Sequence, residues 1–479
     1  MNEETNVEVT GTSTVDNLVA KVTAFITEKK DKVILFGGIA LVVLLVIIFG
    51  SVLASPDKYE RVADYKNRYY TIDDDVLVNL AGKTIECEED IYDYEYSADG
   101  TLTVVQDVDD TLWVVKGSKL VMVDEEVYTY RISTYGDTIV YYKEVEDNVG
   151  ELYLYDVAKK KSTELSTDAY YSWYDSALAL SPDGKSVAFL ESDKEDTILM
   201  VSKNGKEAEE LEENAYPVAI SNNAKYVYYQ TEDKFMVNDE KIESKGYASN
   251  FVFNSDATEV LYSVDGNTNY YTVKSGDSVK VKGASFGGIV LPSYVISSTY
   301  RGVDTFDKCV LRIDGGLYYM YGKGEKLEKI TTSYGTYKMS EDGKSLLYTD
   351  DDKLVYVKNV AKPDKADKIK KLDVYRLYAS KDLKTVYFIN DDDELCYLKK
   401  DEGVVIAKDI YSATYSDKYD VVYFLDDEEL CYANKTKKSV KTITDDVYYL
   451  QKEGDYIAFD LDDEVCVMTG KSKFKNLEE

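Results

Sequence analysis

Two hydrophobic patterns divide this chain. From Val33 to Ala54 it reads VILFGGIALVVLLVIIFGSVLA, 22 residues without a charge. As a helix rising 1.5 Å per residue it would extend about 33 Å, enough for a hydrocarbon core of roughly 30 Å. This segment predicts a transmembrane helix. After about residue 70 the pattern becomes short apolar runs, broken by turns rich in Ser, Asp, Asn and Gly. That pattern predicts β-strands joined as hairpins.

The strands recur. Ser97-Ala98-Asp99-Gly100 leads into TLTVVQ, Ser133-Thr134-Tyr135-Gly136 into DTIVYY, Ser181-Pro182-Asp183-Gly184 into KSVAFL, Ser340-Glu341-Asp342-Gly343 into KSLLYT and Ser380-Lys381-Asp382-Leu383 into KTVYFI. A second strand follows an acidic turn, as in DDELCYL (392–398), DEELCYA (427–433) and DDEVCVM (462–468). A third, more polar run completes the unit, and the chain returns through an aromatic strand such as YDYEY or YRLYA. Units of about four strands and roughly 35–48 residues predict propeller blades.

About ten such units are expected, as one large ring or two propellers. Residues 60–94 supply strands without a Ser-x-Asp-Gly turn and are expected to complete the last unit. The segment 280–335 is degenerate, with Gly287, Gly288 and Pro292 inside SFGGIVLPSYVISSTYRG. It is read as a boundary between two arrays or a diverged unit, in preference to a loop inserted over one face.

The run Ser181–Phe189, SPDGKSVAF, resembles the core of the WD40-like, TolB-type β-propeller repeat, and ELYLYD looks like its next strand. The resemblance spans nearly everything after residue 70. It implies an all-β propeller and says almost nothing about activity.

Composition narrows the chemistry. The chain has 479 residues, 46 of them tyrosine and five proline, which suits paired strands. Histidine is absent. That excludes Ser-His-Asp and Cys-His catalysis, His-ligated metals and a histidine pH switch. The net charge of −33 repels phosphate backbones, so no nucleic acid is expected, whereas a cationic partner is allowed. Five cysteines include Cys396, Cys431 and Cys466 at a 35-residue spacing, where Val355 and Trp113 hold the equivalent place elsewhere. They are read as packed core positions, not ligands. Acidic clusters such as Asp350–Asp352 and Asp391–Asp393 are read as solvated hairpin turns rather than calcium loops. No nucleophile elbow, Walker or Rossmann pattern occurs, so no catalytic, cofactor-binding or metal-binding residue is nominated.

The expected organisation is a tail (1–32), a transmembrane helix (33–54), a juxtamembrane linker (55–69) and the repeat domain (70–479). In the tail, Val15, Leu18, Val19, Val22, Phe25 and Ile26 recur at helical spacing, and Thr14 or Asp16 is placed to cap. Lys29, Lys30 and Lys32 precede the apolar segment, and Lys58 and Arg61 follow it. The nearest flanks favour the N-terminus inside and the repeat domain outside. The expected function is a membrane-anchored extracytoplasmic module that binds or scaffolds a protein or cell-surface ligand. The alternatives are a carboxylate-based glycan-active enzyme and a sensor coupled to the tail.

Overall fold

A computed structural model of the chain describes residues 68–477 apart from 74, 118, 173–176, 194–195, 244–245, 294, 352, 364–366 and 463. The transmembrane segment Val33–Ala54, the amphipathic segment before it and nearly all of the linker lie outside the described residues. Among the described residues no helix is long and apolar enough to cross a membrane.

The described chain is nearly all strand. Eight four-stranded antiparallel sheets stand beside one eight-stranded sheet that holds two further four-stranded units. Ten units therefore follow in order, over 91–124, 127–170, 178–213, 216–243, 248–282, 286–331, 337–371, 376–407, 413–444 and 447–476. They are numbered 1 to 10 below, with strands a to d in chain order. Units 2 and 3 share the eight-stranded sheet through the pair Ala169–Glu191. The a strands lie against one another between units 3 and 4, 5 and 6, 7 and 8, 8 and 9, and 9 and 10, which makes them the inner strands of a propeller-like array.

The Ser-x-Asp-Gly turn has a clear physical role. In unit 3 the Ser181 hydroxyl donates to Asp183 at 2.7 Å and accepts the N–H of Ser186 at 3.0 Å. Ser340 and Ser380 repeat both bonds in units 7 and 8. The turn closes as Gly184 N–H donates to the Ser181 carbonyl at 2.7 Å, with Gly184 at φ +67°. Glycine adopts that left-handed conformation at little cost. The acidic b–c turns obey the same steric rule. Asp265-Gly266 and Asp314-Gly315 both have positive φ, as the two central residues of a tight hairpin require.

Apolar side chains fill the space between neighbouring units. Tyr387, Ile389, Tyr415, Val422, Phe424 and Cys431 share one cluster between units 8 and 9. The three regularly spaced cysteines are buried, each opposite a phenylalanine: Cys396 and Phe388, Cys431 and Phe424, Cys466 and Phe459. Val355 faces Tyr348 and Trp113 faces Val105 in the same slot. This is a recurring packing position, as their spacing predicts.

Unit 10 builds all four strands from its own sequence, so residues 60–94 do not complete it. Instead Tyr69–Asp73, Val76–Asn79 and Thr84–Glu86 form a separate three-stranded sheet, and Ile91–Tyr96 is strand a of unit 1. Only four residues join Glu86 to Ile91. The last strand of the small sheet must therefore end where strand a of unit 1 begins, so the three strands correspond to b, c and d. Val78 and Leu80 pack on Val467 and Leu477 of the C-terminal end, while Tyr69, Leu77 and Ile85 pack on Val105 and Val115 of unit 1. The cycle of units closes through this small sheet.

The degenerate segment departs from its expected reading. Residues 286–331 form a complete four-stranded unit, and the irregular part, 291–308, is a loop inserted between its a and b strands. Strands pair on both sides of the insertion, so the unit is complete around it. The loop runs beside the end of strand a of unit 5. Phe253 N–H donates to Thr299 O at 3.0 Å, Arg301 N–H to Phe253 O at 2.8 Å, and Ser255 N–H to Val303 O at 2.9 Å. The buried Tyr300 hydroxyl lies 2.9 Å from the carbonyls of Leu180 and Ile220, which share its one proton, and accepts the Ile220 N–H at 2.9 Å. Glu259 accepts from Phe306 N–H at 2.6 Å and from the Thr305 hydroxyl at 2.9 Å, which fastens the far end of the loop.

Contacts between non-adjacent units fall into two groups. In the first, the Tyr135 hydroxyl of unit 2 reaches Ser255 O of unit 5 at 3.4 Å, and the inserted loop joins units 3, 4 and 5. In the second, Lys381 of unit 8 pairs with Asp455 of unit 10 at 3.2 Å.

Two outcomes follow from this packing. Burial raises the hydroxyl pKa of Tyr229, Tyr271 and Tyr387 to about 12, and that of Tyr228 further. In the unfolded chain these groups ionise near pH 10. Their contribution to stability is therefore complete below that pH and is lost as pH rises towards the native values. Denaturant titrations at stepped pH are expected to show a falling midpoint above pH about 10, with delayed tyrosinate absorbance in the native protein. A flat midpoint there would contradict this burial. Separately, Tyr300→Phe leaves the Leu180 and Ile220 groups without their shared hydroxyl and is expected to cost about 1–3 kcal/mol by denaturant unfolding, with faster hydrogen exchange across 291–308.

Candidate binding face

The strand order gives the array two unlike edges. Neighbouring a–b turns hydrogen-bond to one another: Asp99 N–H donates to Thr134 O at 3.2 Å, and Glu341 N–H to Lys381 O at 2.8 Å. The units therefore stand in the same sense. All a–b and c–d turns lie on one edge. The b–c turns, the d-to-a connections and the starts of the inner strands lie on the other.

The second edge carries a motif that the Ser-x-Asp-Gly pattern does not reveal. An acidic or amide residue, a small or branched apolar residue and a tyrosine open the inner strand of six units. The tyrosines are Tyr92, Tyr128, Tyr216, Tyr375, Tyr411 and Tyr448, each five residues before the turn serine or its replacement. The apolar residue turns inward: Val127, Ala215, Ile410 and Val447 are fully buried. The tyrosine turns outward, with Tyr92 72%, Tyr375 61% and Tyr411 67% exposed. The residue before the pair takes a left-handed backbone at Glu126, Asn214, Asp409 and Asp446, where Asp and Asn are among the better tolerated residues. One local constraint therefore places a carboxylate or amide and an aromatic ring side by side at the mouth of the inner strands.

Charge differs between kinds of turn rather than between edges, since the a–b turns opposite the tyrosine edge carry Asp99, Asp183, Asp342 and Asp382. The b–c turns on the tyrosine edge hold Asp109-Asp110, Asp391–Asp393 and Asp427-Glu428. The c–d turns on the opposite edge hold Lys159-Lys160, Lys203, Lys323 and Lys437-Lys438. Carboxylates on the tyrosine edge feel one another. Burial, then the negative charges of Asp427, Glu429 and Asp409, raises the pKa of Asp426. Some are neutralised locally, as Glu394 is by Lys408 at 2.7 Å. The arrangement can stack and hydrogen-bond through tyrosine and attract cationic groups through the surrounding carboxylates.

The acidic clusters expected in hairpin turns stand between paired strands, in the b–c turns. Among the described residues no group of three or more carboxylates or cysteines is placed to hold a metal ion. The opposite edge is occupied differently. On strand a of unit 7, desolvation and then the charge of Lys452 lower the pKa of Lys338, while Lys452 donates to Tyr415 O at 2.8 Å and lies 3.4 Å from Asp417. The inserted loop bonds on that edge to the ends of strands a of units 3, 4 and 5.

No protein-family profile matches the chain, and no curated protein sequence matches it. Among solved structures it is similar to the tricorn protease at 11% identity and a TM-score of 0.26, over 77% of this chain and 46% of that one. It is also similar to a eukaryotic initiation factor at 10% identity and a TM-score of 0.38, over 84% of this chain and 93% of that one. The chain thus spans less than half the length of the tricorn protease chain it matches.

Proposed function

We propose that this chain is a membrane-anchored binding module. Val33–Ala54 serves as an uncleaved single-pass anchor with the N-terminus inside. The repeat domain, a β-propeller of WD40-like, TolB-type units, stands outside and binds a protein partner through its tyrosine and carboxylate edge. The observation that carries this reading is the recurrence of exposed tyrosine beside a carboxylate at the start of successive inner strands. Large exposed aromatic side chains in register are costly to keep in water without a use. Their chemistry, with the excess of negative charge, favours a partner segment bearing Lys or Arg, through cation–π contact and long-range attraction.

The test is crosslinking in intact cells followed by identification of the bound proteins, comparing the native chain with a Tyr375→Ser, Tyr411→Ser, Tyr448→Ser variant. Each ring contributes about 0.5–1 kcal/mol at an exposed site, so the triple variant is expected to weaken capture roughly tenfold or more. Capture should also fall with added salt. An unchanged partner set in the folded variant would remove this edge from the binding role. Protease added to intact cells is expected to digest the repeat domain. Protection of that domain until lysis would reverse the proposed orientation.

A further inference from the structure

The inserted loop brings two arginines together. Arg312 lies on strand b of unit 6, opposite Gly288 on strand a. Its guanidinium covers the glycine: a Cβ built on Gly288 would stand 2.6 Å from Nη2 of Arg312. Gly288 also has φ +122°, a conformation that L side chains rarely adopt. The glycine thus makes room for the guanidinium. Arg301 comes from the loop. Its backbone is pinned to Phe253, and its Nη1 donates to the Ser297 hydroxyl.

Among the described residues, the buried Nε–H groups of Arg301 and Arg312 have no acceptor. Carboxylates that lie on the inserted loop or bind it have other partners. Asp304 accepts from the Ser255 hydroxyl, Glu259 from Thr305 and Phe306, and Asp307 from Lys323 N–H. Burial, then the charge of Arg312, lowers the pKa of Arg301. In a chain of net charge −33, two guanidinium groups that repel each other and keep buried donors unspent are an anomaly that an anion would resolve.

We propose that Arg301 and Arg312 bind a doubly charged tetrahedral oxyanion, a phosphate ion or phosphomonoester group, between the inserted loop and unit 6. Two guanidinium forks carry the two positive charges such a group balances. Its several oxygens can serve both forks, whereas a single carboxylate is matched by one. The site is separate from the tyrosine edge and does not depend on the partner proposed there. Occupancy would tie the loop to the unit that carries it.

The test uses the purified full-length chain in detergent, titrated with inorganic phosphate and, separately, with phosphoethanolamine, at constant ionic strength set with chloride. Saturable heat of binding is expected with at least one ligand, together with slowed hydrogen exchange across 291–308. Response to phosphate alone identifies the free ion as the source, and response to phosphoethanolamine identifies a phosphomonoester. Arg301→Gln and Arg312→Gln should each weaken binding roughly tenfold or more, because a charged hydrogen-bond partner is lost. Arg312→Lys keeps the charge but not the fork, so it should bind more weakly than the native chain. No saturable response of the folded native chain to either ligand would overturn the proposal. So would equal binding by the folded glutamine variants.

Discussion

The serine hydroxyl in the a–b turn is the constraint on which this architecture depends. It bonds to an aspartate two residues on and to a backbone N–H five residues on, and so fixes the reversal between strands a and b. A net hydrogen bond contributes only about 1 kcal/mol, but an unmade one in a buried turn costs more. Ser181 is fully buried, so its bonds cannot be replaced by water. Because adjacent turns also bond to each other, the geometry of one turn sets the orientation of the next unit. Repeated round the cycle, this puts every unit the same way up. The gathering of the exposed tyrosines on one edge is a consequence of that shared orientation.

Much of the fold was legible in the sequence. The turn motif and the strand that follows it mark hairpins whose chemistry is local, and local chemistry survives in a single sequence. The cysteine spacing was also legible, because a packed slot tolerates Cys, Val and Trp alike. Three things were hidden. The three-stranded sheet has no turn serine among its described residues, so nothing flagged it as a unit. The inserted loop reads as a break in rhythm, and only tertiary contacts of Tyr300 with residues 80 and 120 positions away reveal where it goes. The tyrosine motif was visible in principle, as an acidic or amide residue, an apolar residue and tyrosine five positions before the turn. Tyrosine is so abundant that exposure alone separates these six from those in the core.

The abundance of tyrosine has a structural basis. A tyrosine can fill an inter-unit core with its ring and still satisfy its hydroxyl at the margin, as Tyr228 does at Ala257 O at 2.8 Å and Tyr423 at Lys471 O at 3.0 Å. Such a side chain joins the dry interior of one unit to the turn of the next. Phenylalanine would supply the packing without that tether.

The seam that closes the cycle is the least reinforced junction. Four buried apolar residues, Val78, Leu80, Val467 and Leu477, hold the three-stranded sheet to unit 10, whereas twelve fill the junction of units 4 and 5. Among the described residues no strand is exchanged across that seam. A ring stitched by strand exchange resists pulling at its ends through a ladder of hydrogen bonds. Among the described residues, tension between the N-terminal side and the C-terminus would be borne at this seam by side-chain contacts. A pull on the chain would therefore part the ring at this joint before it unravelled any blade.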